Sequence, residues 1–286
     1  MRSTTTTTGT SRGRRVLTAA LALLSLAYLG CTRPQASEPA REDELVVFAA
    51  ASLRDAFSTL AKDFERAHPG TELKLNFAGT QQLRTQLEHG AAADVLASAD
   101  QAHMDALARA SLVSTPVVFA RNEAVLVVTR ERADEIRSLA DLPAASRIVV
   151  GAPEVPIGRY TLQILARASA ALGDDFRARV EARVASRELN VRQVLAKVSL
   201  GEAEAGFVYR TDVARSDEGP LHERVRVVDI PQPMNVIANY PIAVVTGAPH
   251  PDLAQAWIDF VLSSQGQRSL ERAGFLPPPA ASGAAP

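Results

Sequence analysis

The stretch from Val46 to Thr80 constrains this chain more than any other. Val46-Val47-Phe48 is apolar without alternation, as expected of a strand covered on both faces of a parallel sheet. It runs into Ala49, Ala50 and Ala51, which are small enough to let another group approach the backbone, and Ser52 follows at once. Behind it Leu53, Ala56, Phe57, Leu60, Ala61 and Phe64 recur at helical spacing, and Ser52-Leu53-Arg54-Asp55 reads as a capping box. A second strand ends at Phe77-Ala78-Gly79-Thr80. The stretch therefore predicts a serine hydroxyl and a turn of free backbone N–H groups at the carboxyl end of a buried strand. Open α/β sheets bind ligands there, and a helix N-terminus favours an anion. On these residues alone Ser52 could equally be a plain helix cap.

The same alternation continues. Leu83 and Leu87 give a short helix ended by Gly90, and Asp94 to Asp100 reads as a buried strand entering a turn before a helix through Met104 and Leu107. Strand and helix in strict succession predict a parallel sheet wound with helices on both faces. Ala124 to Thr129 and Arg147 to Gly151 are two further strands, separated by a polar, mostly helical segment carrying Leu139, Leu142 and Pro143. After Gly151, Pro153, Pro156 and Gly158 precede a helix through Tyr160, Ile164 and Leu165, again leaving first-turn N–H groups facing outward at a strand's end. A charged helical segment spans about Asp174 to Arg183, and Asn190 caps a helix through Val194, Leu195 and Val198. Ala205 to Tyr209 and Arg226 to Ile230 are short strands, Pro241 to Thr246 begins the last one, and two helices close the fold. Two α/β lobes joined by crossings near residues 120 and 240 would place a ligand in the cleft between them. Lobe 1 is expected over 44–120 and 240–276, lobe 2 over 121–239, and a disordered tail over 277–286, where Pro and Ala dominate.

The N-terminus reads as an address. Residues 1–15 are Thr-rich and basic, Val16 to Leu29 is an apolar run of signal-peptide length, and it ends at Leu29-Gly30-Cys31. This resembles a lipoprotein signal over 1–31 with Cys31 as the lipidated residue, although Tyr28 stands where an aliphatic residue is usual; cleavage nearby, without lipidation, is the other reading. A polar linker with Pro34 and Pro39 covers 32–43. Cys31 is the only cysteine, so no intramolecular disulfide is available to the fold. The first 31 residues hold four arginines and no acid, so the remainder has 27 basic against 32 acidic side chains, a net of −5. Such a chain lacks the electrostatic footprint of a nucleic-acid binder, and any anion must be held by local dipoles and hydroxyls.

Taken together, Phe48 to Leu53, Phe77 to Thr80, Ala93 to Asp100, Gly151 to Tyr160, Asn190 to Leu195 and Gly206 to Tyr209 resemble the molybdate-binding proteins of ABC importers, in the right order from Leu45 to about Pro277. The resemblance implies an α/β, two-lobe type II periplasmic-binding fold, each lobe a mostly parallel sheet flanked by helices. It implies a monomer, not an enzyme and without a cofactor, that closes on molybdate or tungstate and delivers it to a membrane permease from a periplasmic, lipid-anchored position. The family's oxyanion ligands fall on Ser52 (hydroxyl and amide), Thr80, the backbone N–H groups of Ile157 and Val191, and the Tyr209 hydroxyl. Thr80 replaces the usual serine, and Gln81-Gln82 departs from the commoner Ser or Thr. Related binders that complete an octahedral metal shell use two carboxylates, where this chain has Val155 and Val208, so four-coordinate binding without protein–metal bonds is expected. Hydroxyls and amides at helix starts suit a tetrahedral dianion, because they donate without the desolvation of a buried arginine.

Other readings have weaker support. The five histidines are scattered at no ligand spacing, and no G-x-S-x-G, P-loop or G-x-G-x-x-G is present. Without the family resemblance Tyr209 reads more readily as a core tyrosine with a satisfied hydroxyl than as a ligand, Arg192 is solvated or paired with an acid, and Trp257 is core. Within the transport class, sulfate or a small organic acid is the nearest alternative ligand; an exported enzyme using the same cleft is the more distant one.

Overall fold

The computed structural model describes residues 43–214 and 224–280; the signal segment with Cys31, the linker up to residue 42, His222 and the end of the tail lie outside them. The first half alternates β1 (Asp43–Ala50), α1 (Arg54–Ala67), β2 (Thr71–Ala78), α2 (Thr80–Glu88), β3 (Val95–Ala97) and α3 (Gln101–Arg109). The long β4 (Val117–Thr129) leads to β5 (Ile148–Gly151), α4 (Pro156–Leu172), α5 (Phe176–Glu181), β6 (Val184–Glu188), α6 (Val191–Ser199), β7 (Ala205–Tyr209) and α7 (Arg210–Val213). β8 (Val225–Val228), β9 (Ile237–Val244), α8 (Pro251–Leu262) and α9 (Ser264–Arg272) complete the described chain.

The strand order is β2-β1-β3-β9-β4-β7-β5-β6, with β8 paired to β4. β1 lies parallel to β2 and β3, and β5 parallel to β6 and β7, so the strands that feed the helix starts run in common directions within each half. β4 and β9 are antiparallel to their neighbours and join the halves. Val117–Glu123 of β4 pairs with β9, whereas Ala124–Thr129 pairs with β7 and β8. Pro241 lies inside β9, where its missing N–H would break a ladder, and its partner Val118 borders a register shift in β4.

Helix α1 buries Phe57, Leu60 and Phe64 at i, i+3, i+7, the stripe its spacing predicts. The C-terminal helix α8 meets that stripe. Trp257 is fully buried, with Phe57 and Phe64 rings edge-on to it at 5.5 and 5.3 Å between centroids.

Several local expectations change. β6 is an extra strand: Val-Ala-Ser-Arg-Glu has neither an apolar run nor a buried face, because it is a sheet edge. The segment expected to be helical between β4 and β5 forms two short 3₁₀ stretches, Arg130–Arg132 and Leu139–Ala144, the second carrying Pro143. Proline lacks the N–H that a longer α-helix would use. β9 begins at Ile237, four residues before the apolar run, because pairing with β4 extends it through Ala238 and Asn239.

Candidate functional site

Ser52 does not cap a helix. A 3₁₀ turn over Ala51–Leu53 begins one residue before it and leads into α1, so Ser52 sits within the first turn, and no side-chain cap is made at either helix start. Its hydroxyl is buried and lies 2.9 Å from the Tyr240 hydroxyl of β9. Asn122 also reaches Tyr240. Its carbonyl oxygen accepts from the Glu123 N–H, so its amide NH₂ donates, to Thr211 Oγ1 at 2.8 Å and to Tyr240 Oη at 3.4 Å. Tyr240 Oη thus accepts from Asn122, and either hydroxyl can donate in its contact with Ser52; when Tyr240 donates, the Ser52 hydrogen is free to point elsewhere.

Thr80 is the first residue of α2, behind Gly79, whose N–H donates to the Gln82 side chain at 3.1 Å. Thr80 Oγ1 accepts from the Ala99 N–H at 3.1 Å, so its hydrogen too is available as a donor. Ile157 is the second residue of α4 after Pro156, and Val191 the first of α6 after the Asn190 cap, which accepts from the Gln193 N–H at 3.1 Å. First-turn N–H groups at these positions have no partner within their own helix.

Tyr209 ends β7 with 1% of its surface exposed, and its hydroxyl has no hydrogen-bond partner among the described residues. Burial, and then the neighbouring Tyr240 and Tyr160, push its pKa well above the ordinary phenol value, so the group is a donor at any physiological pH. An unpartnered buried hydroxyl costs free energy unless something accepts from it.

All five residues line one cavity, brought together from four helix starts and one strand end. The rest of its wall is made of small or apolar residues, such as Ala50, Gly79 and Ala99, and of Asn190; none of it is charged. Val155 lines the cavity, whereas Val208 does not, so neither position brings a carboxylate to it. Among the described residues no group of three or more His, Cys, Asp or Glu side chains could hold a metal ion.

Charge stands just behind the wall. Arg192, next to Val191, pairs with two acids: Asp55 of α1 across the cleft and Asp212 of α7 on its own side, at 3.2 Å from its Nε. Burial pushes the Asp212 carboxyl up to about 6 against the opposing pull of Arg192. The other Asp212 oxygen accepts from the Tyr209 N–H at 3.0 Å. Tyr240, Asn122 and Asp212 escaped the sequence reading. Each is polar and sits beside an apolar run, a pattern shared with many surface residues.

The pattern of a family described as bacterial extracellular solute-binding protein matches residues 45–276. The chain is 37% identical over 268 residues to the molybdate-binding protein ModA of Mycobacterium tuberculosis, covering 92% of this chain and 97% of that protein. It is 31% identical to ModA of Escherichia coli, covering 82% and 90% respectively. The solved periplasmic molybdate-binding protein of Azotobacter vinelandii superposes with a TM-score of 0.70 at 17% identity over 82% of this chain and all of that one, a likeness of fold.

Proposed function

The chain belongs to the bacterial extracellular solute-binding protein family and has its two-lobe, type II periplasmic-binding fold, and on that premise we propose that it binds molybdate, or tungstate, for an ABC importer. The carrying observation is a cavity without a charged wall into which both halves of the fold direct neutral donors, one of them the Tyr209 hydroxyl, unpartnered among the described residues. In this reading Ser52, Thr80 and Tyr209 donate through hydroxyls, and Ile157 and Val191 through first-turn amides whose helix dipoles favour a dianion. The metal keeps its four oxygens and makes no bond to the protein. Phosphate is disfavoured because its remaining proton at neutral pH finds no acceptor in such a donor set, and sulfate because it is smaller than the cavity the donors define.

The protein performs no chemistry of its own: it captures the anion, closes, and hands it to a membrane permease as a monomer. β4 and β9 serve as the hinge, with lobe 1 over 44–120 and 240–276 and lobe 2 over 121–239. Export by the N-terminal signal, with lipidation of Cys31 as the membrane anchor, completes the reading.

Thermal unfolding of the purified protein with molybdate, tungstate, sulfate or phosphate tests the function. A ligand at 100 times its dissociation constant stabilises the native state by about 2.7 kcal/mol. A rise in melting temperature with molybdate and tungstate alone is expected. A rise with sulfate or phosphate instead would move the substrate, and no rise with any of them would remove the function.

A further inference from the structure

Each second-half helix that presents an amide to the cavity also carries an arginine within its first turn. Arg159 follows Ile157 by two residues on α4, and Arg192 follows Val191 by one on α6. Neither lines the cavity. Both reach instead to an aspartate of the first half that stands close in sequence to a cavity residue. Arg159 Nη1 is 2.8 Å from Asp100 Oδ2, and Asp100 follows the cavity residue Ala99 and caps α3 through the His103 N–H at 3.0 Å. Arg192 pairs with Asp55, three residues after Ser52.

These pairs are better shielded than the intrahelical pairs of the surface. The side chains of Arg159 and Asp100 are 30% and 2% exposed, and those of Arg192 and Asp55 are 25% and 23% exposed, against 51% and 71% for Arg179 and Asp175. Screening is correspondingly weaker. Two further contacts cross the same gap: the Gln81 amide donates to the Leu189 carbonyl at 2.7 Å, and His103 Nε2 donates to the Glu154 carbonyl at 2.8 Å.

We propose that Arg159 and Arg192 are positioning residues of the anion site: two arginine–aspartate clasps, Arg159–Asp100 and Arg192–Asp55, that set how long the cleft stays closed and contribute no attraction to the anion. The clasps fix the two amide-bearing helix starts against the half that carries Ser52 and Thr80. Because each guanidinium is matched by a carboxylate, the cavity wall stays neutral and recognition is left to hydroxyls and amides. This inference rests on the anion-binding reading above.

The aspartates supply a test by sign. Asp55→Asn and Asp100→Asn each take away one arginine's carboxylate partner across the cleft, Arg192 keeping Asp212 on its own side. If the arginines attract the anion, releasing them speeds association and tightens binding. If they act as clasps, dissociation accelerates, by on the order of tenfold, while association stays within about twofold, since most affinity changes within one site are carried by the dissociation rate. The measurement is release of radiolabelled molybdate from the full-length protein after a chase with unlabelled molybdate, beside the association rate and the melting temperature of the ligand-free variants. Both variants keep a side-chain oxygen, and in Asp100→Asn the new amide oxygen can still cap α3, so unchanged melting with faster release is the expected result. Arg192→Lys, which keeps the charge but not the fork that spans Asp55 and Asp212, is expected to fall between wild type and Asp55→Asn. Tighter binding by either aspartate variant, or unchanged release from both, overturns the clasps. Failure of the wild-type protein to retain molybdate overturns the anion reading itself, and the clasps with it.

Discussion

The Ser52 and Tyr240 hydroxyls lie 2.9 Å apart in the core, joining the first turn after β1 to a strand 188 residues further along the chain. Asn122 donates to Tyr240, and the order in which Tyr240 in turn donates to Ser52 frees the Ser52 hydrogen for the cavity. Tyr240→Phe removes the group that holds Ser52 in this sense. Ser52 can then rotate or accept from elsewhere, and molybdate affinity is expected to fall by about 1 kcal/mol, the worth of one hydrogen bond. Calorimetric titration of the variant checks this, and an unchanged affinity would take Tyr240 out of the site.

Tyr209→Phe separates binding from stability. The hydroxyl has no partner among the described residues, so its removal relieves a buried unsatisfied group, and the ligand-free protein is expected to melt at the same or a higher temperature. An anion oxygen loses its donor, and affinity is expected to fall by about 1–3 kcal/mol. A lower melting temperature without ligand, with affinity unchanged, would make Tyr209 an ordinary core residue.

Gly79 lies where the backbones of the two halves come close together. Its backbone, at φ −62°, suits any residue, but a Cβ there would stand 2.3 Å from the Leu189 carbonyl oxygen across the cleft. Gly79→Ala is therefore expected to fold and to resist closure, losing about 1–3 kcal/mol of binding, the usual range for an overpacked contact. Small-angle scattering with saturating molybdate should show it more extended than wild type. Identical scattering and affinity would contradict the prediction.

Asp212 gives a pH dependence whose sign follows from burial. Its folded pKa of about 6 exceeds the ordinary 3.8, so the native state holds a proton that the unfolded state releases. This contribution to stability is full below about pH 4 and is lost as pH rises through about 6. Arg192 opposes the shift, and Asp55 reinforces it. Asp212→Asn, which keeps an acceptor for the Tyr209 N–H, is expected to flatten the fall in melting temperature across that window. Parallel curves for variant and wild type would place the titration elsewhere.

The parts of this site that could be read in the sequence were local. Ser52, Thr80, Ile157 and Val191 each stand where an apolar strand gives way to a helix, and that switch shows as a change of period within a dozen residues. All of them, with Tyr209, line the one cavity. Contacts between distant segments were not legible. Nothing near Tyr240 or Asn122 announces their contacts with each other and with Ser52, and Asp100 looks like any turn aspartate until Arg159 reaches it. The capping-box reading of Ser52 failed because a 3₁₀ turn starts at Ala51, a matter of one residue that composition does not encode. β6 stayed hidden because an edge strand needs no apolar face.

The most direct test of the account is diffraction at the molybdenum absorption edge from crystals grown with molybdate. One anomalous peak is expected inside the cavity, its oxygens at about 2.7–3.2 Å from donors on Ser52, Thr80, Ile157, Val191 and Tyr209, with no protein atom bonded to the metal. A peak outside that cavity, or a side-chain oxygen in the metal's own shell, would contradict it.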